Sequence, residues 1–179
     1  MGPGETDLEL IRSRIREVPD FPKKGIAFKD ITPLLQDGHA FRKAVDAMAA
    51  PFEGRDLETI CSAEARGFIF GAALSYRLGI GFAPVRKPGK LPPQTHTVSY
   101  SLEYGTDSLE IRQDALAKGE KVLLVDDVLA TGGTMEACCR LVETAGGVVV
   151  ACLFLIELAA LGGREKLPGR EIVSVLTYD

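Results

Sequence analysis

Two adjacent carboxylates, Asp126 and Asp127, are followed almost at once by Ala130, Thr131, Gly132, Gly133 and Thr134 in the run VLLVDDVLATGGT. Paired acids suit three kinds of ligand: a divalent cation, the hydroxyls of a ribose, or the phosphoacceptor pocket of a receiver domain. The turn after them narrows the choice. Small hydroxyls and closely spaced backbone N–H groups at a helix start make a phosphate site, because the first-turn donors are unbonded and the dipole is positive there. The dipole contributes only about 0.3–1 kcal/mol, whereas each hydrogen bond to a charged group adds roughly 1.5–3 kcal/mol. Acids and turn together point to a sugar phosphate.

The elements that must hold these residues can be read from periodicity. Val122 to Val125 is an apolar, β-branched run suited to a strand covered on both faces, and helical spacing resumes after Gly133. The acids then stand at the carboxyl end of a parallel strand, where ligands bind in open α/β sheets. A receiver domain places its acids after its first strand, yet only one more helix and two more strands follow here. A P-loop needs a lysine in the turn, and this turn has none.

The rest of the chain reads as alternating strands and helices. Leu8, Ile11, Ile15 and Val18 form one stripe and predict a helix over 7–18. PDFPKKG ends it, and IAFKDITPLL reads as an extended segment and a turn. A helix is expected over 40–52, a strand over 59–63, a helix over 67–78 and a strand over 80–85. Beyond the strand at Val122 come a helix over 134–145, an apolar run over 148–156 and a last strand over 172–176. This order predicts an α/β fold with a mostly parallel central sheet flanked by helices. No linker or repeat divides the chain, so one domain is expected over 1–179, with residues 86–105 standing out as a long, proline-bearing polar excursion.

Composition excludes several classes. The 179 residues carry a formal net charge of −4, and the basic residues are scattered, which argues against a nucleic-acid partner. Cys61, Cys138, Cys139 and Cys152 lack metal-type or redox-type spacing, and only His39 and His96 accompany them. A reducing, cytoplasmic setting is the simplest expectation. No apolar run approaches the roughly 18 residues that span a bilayer, so no membrane partner is expected.

VLLVDDVLATGGT resembles the phosphoribosyl-pyrophosphate (PRPP) signature of the type I phosphoribosyltransferase family. PDFPKKGIAFKDITPLL, EARGFIFG, VRKPGKLP, SLEYG and GREKL, in this order and spacing, are similar to the adenine-using branch of that family. The resemblance implies a small N-terminal hood over about residues 1–35, a mobile catalytic loop over about 86–106, and transfer of phosphoribose from PRPP to N9 of adenine with Mg²⁺. Asp126 and Asp127 would hold the ribose hydroxyls and support the positive charge developing on the ring; Ala130 to Thr134 would hold the 5′-phosphate. Mg²⁺ would ride on PRPP oxygens near Asp126 and Asp127, with no direct protein ligand required.

The same resemblance assigns the remaining roles. Ala130 replaces an aspartate that serves the purine in the oxopurine branch, so Glu103 is expected as general acid/base, with Tyr104 beside it in the loop. Arg66, Arg86, Lys87 and Lys90 would neutralise pyrophosphate, partly across a homodimer interface; Arg66 would otherwise pair with Glu64 or meet adenine N3. Backbone groups of Ala27 and Lys29 would read adenine, with Phe28 and Leu158 covering its faces. Ser62 and Ala63 depart from the glycine and larger aliphatic residue usual before EARGF, where a cis peptide between Glu64 and Ala65 is expected. Ser62 is therefore expected to weaken PRPP affinity. A transferase for another base, a weakly active paralogue and a non-catalytic PRPP-binding regulator are the alternatives.

Overall fold

The computed structural model describes residues 4–101 and 106–179. The chain forms two units, one ending at Phe52 and the other running from Glu53 to Asp179. In the first, α1 (Glu5–Ser13), α2 (Thr32–Gln36) and α3 (Gly38–Ala49) accompany a small antiparallel ribbon of β1 (Arg16–Val18) and β2 (Phe28–Asp30). The helix expected over 7–18 thus stops at Ser13. Arg16, Glu17 and Val18 instead pair with Asp30, Lys29 and Phe28, and these long-range ladder bonds outweigh the local helical stripe. α3 starts sharply because the Asp37 carboxylate accepts from the backbone N–H groups of His39 and Ala40, both at 3.1 Å.

The second unit holds a five-stranded sheet in the order β4-β3-β7-β8-β9, and every neighbouring pair is parallel. Its strands are β3 (Thr59–Ala63), β4 (Gly81–Val85), β7 (Lys121–Leu129), β8 (Val148–Leu158) and β9 (Ile172–Tyr178). The period of two divides their side chains between two layers. Cys61, Val122, Leu124, Cys152 and Phe154 join a core with Ala137, Cys138, Leu141 and Val142 of α5 (Gly133–Thr144). Ser62 points to the other face, against α4 (Arg66–Leu78), where a Cβ at Gly71 would lie 2.1 Å from the Ser62 hydroxyl.

One expectation fails between the expected strands. Residues 86–105 are not one polar excursion: β5 (Thr95–Ser101) and β6 (Thr106–Arg112) form an antiparallel ribbon. Val98, Tyr100, Leu109 and Ile111 are buried in the α5-side core. Their partners along each strand are polar, which is the alternation of a half-buried strand. Prolines and charges before Thr95 masked it.

Candidate functional site

The parallel sheet brings the carboxyl ends of β3 and β7 side by side, since Ser62 pairs with Val125. There Arg66, the acids Asp126 and Asp127 near the end of β7, and the turn from Ala130 to Thr134 line one cavity of about 220 Å³. Val128, Leu129, Met135 and Phe154 complete its wall. The predicted acids and turn are therefore assembled as one site.

Electrostatics separates these acids from ordinary surface carboxylates. Burial raises Asp126 well above the usual carboxylate range, and the neighbouring Asp127 charge raises it further. Asp127 is also raised by burial, with Arg66 acting against it. Arg66 Nε lies 2.8 Å from Asp127 Oδ2, yet that buried oxygen has no aligned hydrogen-bond donor. Asp126 Oδ1 accepts the Asp127 backbone N–H at 2.9 Å, which leaves Asp127 Oδ2 as an open acceptor, and the hydroxyls of a ribose are donors. Arg66 is consequently an ion-pair partner of Asp127, while Glu64 is ion-paired with Arg86.

The phosphate turn has its shape imposed from a distance. Gly132 has φ +81°, and a Cβ there would meet the carbonyl oxygen of Gly163 at 2.4 Å; a Cβ on Gly163 would meet the Ala130 carbonyl at 2.3 Å. Both glycines are required because two backbones touch. The Gly163 turn is fixed in turn by Arg164, whose Nε and Nη2 each donate to the buried Glu157 carboxylate at 2.6 Å. This explains physically what the GREKL segment does. Sequence reasoning missed Gly163 and Glu157 as parts of the site.

A second cavity of about 480 Å³ shares Arg66, Asp126, Asp127 and Thr134 with the first and adds Glu64, Lys87, Tyr100 and Asp107. The ribbon strands supply Tyr100 and Asp107. Tyr100 donates to Asp107 at 3.1 Å, and Tyr100 and Thr134 line this same cavity, so β5 stands beside the phosphate turn. Lys87 is ion-paired with Asp107. Alternation in THTVSYS and TDSLEIR was the signal for both residues.

The other predicted residues are dispersed. Arg86 Nη2 donates to Glu64 at 2.8 Å, and Lys90 is exposed; neither lines these two cavities. The Glu64–Ala65 peptide is cis, as expected. Leu158 closes β8, half-buried. In the first unit, Ala27 is exposed; Phe28 stacks edge-on against Phe21 at 5.2 Å, and Lys29 pairs with Glu17. Glu103 and Tyr104 lie outside the described residues.

A parallel sheet with paired acids and a glycine turn at its carboxyl end is the arrangement of a phosphoribose-binding enzyme. Comparison with known families agrees: the phosphoribosyl transferase domain matches residues 35–175, and the chain belongs to the phosphoribosyltransferase family. The more particular likeness is to adenine phosphoribosyltransferases. The one from Thermoanaerobacter pseudethanolicus is 57% identical over 171 residues, covering 96% of this chain and 99% of its own. Its crystal structure superposes with a TM-score of 0.93 over 96% of this chain and 99% of that one. The Saccharomyces cerevisiae enzyme, complexed with adenine and an imino-altritol bisphosphate, is 36% identical with a TM-score of 0.90, covering 95% and 98%.

Proposed function

We infer that this chain is a transferase that moves 5-phosphoribose from PRPP to N9 of adenine, giving AMP and pyrophosphate, a purine-salvage reaction. The observation that carries this reading is the Asp126–Asp127 pair, with Asp127 Oδ2 an open acceptor, sharing one cavity with the phosphate turn. Near-full-length identity to adenine phosphoribosyltransferases supports the choice of base.

In the mechanism, first-turn N–H groups and the hydroxyls of Thr131 and Thr134 hold the 5′-phosphate, anchoring the ribose so that its hydroxyls donate to Asp126 and Asp127. The ionised pair then faces the ribose as positive charge develops during C1′–pyrophosphate cleavage, which stabilises the transition state more than the ground state. Arg66 and Lys87 supply positive charge to the leaving group, with Arg86 and Lys90 nearby in sequence. Glu103, with Tyr104 beside it, exchanges the adenine proton.

For adenine itself, backbone groups at Ala27 and Lys29 would read the base edge and Phe28 would give apolar cover, as the resemblance implies. A site matched to the exocyclic amine rejects hypoxanthine because the wrong edge leaves buried groups unpaired.

Mg²⁺ fits this donor set. A buried carboxylate oxygen without an aligned donor, beside a second carboxylate, is hard, anionic and suited to a hydrated divalent cation carried by PRPP. When bound, the ion neutralises pyrophosphate. The reading further places the enzyme in the cytoplasm as a homodimer; among the described residues no helix is long and apolar enough to cross a membrane.

The test is an assay of purified protein with PRPP, Mg²⁺ and adenine, hypoxanthine, guanine or orotate in parallel. AMP formation with adenine far above the other bases is expected. No nucleotide from any base overturns the enzyme reading, and preference for another base overturns the adenine assignment. Glu103→Gln is expected to lower kcat much more than it raises KM for PRPP; an unchanged kcat removes Glu103 from the reaction.

A further inference from the structure

Away from the ribose site, α5 and β8 bring two sulfurs together. Cys139 Sγ and Cys152 Sγ lie 3.9 Å apart, within thiol hydrogen-bond distance. All four cysteines are unbridged and buried, but their surroundings differ. Cys139 forms part of the wall of a separate cavity of about 220 Å³, with Arg140, Lys166, Arg170 and Glu136 around it. Cys152 sits behind it, fully buried on β8.

The charges favour a thiolate at one of the two positions. A hydrogen bond from the Cys152 thiol lowers Cys139, and Arg170 acts in the same direction, against burial and against Glu143 and Glu136. Arg170 is itself ion-paired with Glu143, and Arg140 lies 3.7 Å from Glu136. The other thiols are not favoured: burial pushes Cys138 well up and Cys61 up to about 12. The thiolate is the nucleophilic form, so reactivity is concentrated on the cysteine that also reaches a cavity.

We propose that Cys139 is an oxidation site for hydroperoxides, with Cys152 as its resolving thiol. The Cys139 sulfur attacks one oxygen of hydrogen peroxide; an S–O bond forms, the O–O bond breaks, and hydroxide leaves and is protonated to water. Cys139 is oxidised to a sulfenic acid and the peroxide is reduced. The Cys152 sulfur then attacks the sulfenic sulfur, losing its proton as the S–O bond breaks and a second water departs. Two thiols and one peroxide give one disulfide and two waters. A disulfide is about 2.05 Å long, so the sulfurs must close by roughly 1.9 Å. Cys138 is about 100° further round the helix, in the core against the sheet.

The test uses the folded protein, hydrogen peroxide and mass spectrometry after non-reducing trypsin digestion. Cleavage after Arg140 separates Cys139 from Cys152, so the disulfide joins two otherwise independent peptides. The wild type and Cys138→Ser are expected to give the joined peptide, Cys139→Ser to lose it, and thiol reductant to reverse it. In Cys152→Ser, a sulfenic-acid probe is expected to label Cys139 at least roughly tenfold over Cys138 and Cys61. Circular dichroism checks that each variant is folded. A joined peptide appearing only in urea, surviving in Cys139→Ser, or absent from wild type while Cys138 or Cys61 oxidises overturns the proposal.

Discussion

Two neighbouring strand ends treat their carboxylates in opposite ways. After β3, Glu64 is supplied with donors: Arg86 from its side chain and Lys87 from its backbone N–H. Those bonds and charges hold it below its ordinary range against the cost of burial. One strand over, near the end of β7, Asp126 is part-buried and Asp127 buried, Asp127 Oδ2 has no aligned donor, and both acids are raised. The difference separates a scaffold from a receptor. An acid whose hydrogen bonds are complete orders the protein around it; acids whose bonds are incomplete hold binding energy for a ligand.

The largest expected effect comes from breaking the receptor half. Asp127→Asn should lower kcat/KM by about a hundredfold or more, because the charge facing the developing cation is lost. Its thermal midpoint should stay level or rise, since a buried carboxylate is relieved of its desolvation cost. A large fall in midpoint with activity intact would erase the contrast. Glu64→Gln should do the reverse: a stability loss of about 1 kcal/mol by denaturant titration, discounted for the partly exposed Arg86, and a smaller rise in KM for PRPP.

Acidity sharpens the comparison further. The raised Asp126–Asp127 pair keeps protons in the folded state that the unfolded chain releases above about 3.8, so its contribution to stability falls as pH rises from there. PRPP binding should strengthen over that same range, because ribose hydroxyls need ionised acceptors. Glu64 has the opposite sign: its contribution is present above its ordinary 4.5 and is lost as pH falls through its lowered value. Calorimetric titration should show PRPP binding strengthen through this window, and thermal melts of Asp127→Asn and Glu64→Gln against wild type should show the two contributions with opposite pH slopes.

The smallest effect is expected on β3 itself. Ser62 is buried, its hydroxyl has no hydrogen-bond partner, and Gly71 provides the space it occupies. Ser62→Ala should raise stability by up to about 1 kcal/mol with PRPP affinity unchanged, as an orphaned hydroxyl inside packing is removed. Ser62→Gly improving PRPP affinity would instead assign the substitution to the binding loop.

The sheet strands were legible because buried parallel strands are short, apolar and β-branched, and the sugar-phosphate turn was legible because Asp126 to Thr134 is contiguous. What escaped was non-local. Val18 entered a ladder with Phe28 that no helical stripe reports. Tyr100 and Asp107 reached the site through a ribbon whose alternation was hidden behind Arg86, Lys87 and the prolines. The pairing of Arg66 with Asp127 required knowing that β3 and β7 are neighbours.

The contact of Gly132 with Gly163 also sets an order of events during synthesis. When VLLVDDVLATGGT first leaves the ribosome, the segment that braces its turn has not yet been made. The sugar-phosphate receptor is thus completed late, once Gly163 and Arg164 have emerged and Arg164 has gripped Glu157. A nascent chain stalled before that point carries every acid and hydroxyl of the signature without the shape that makes them a site.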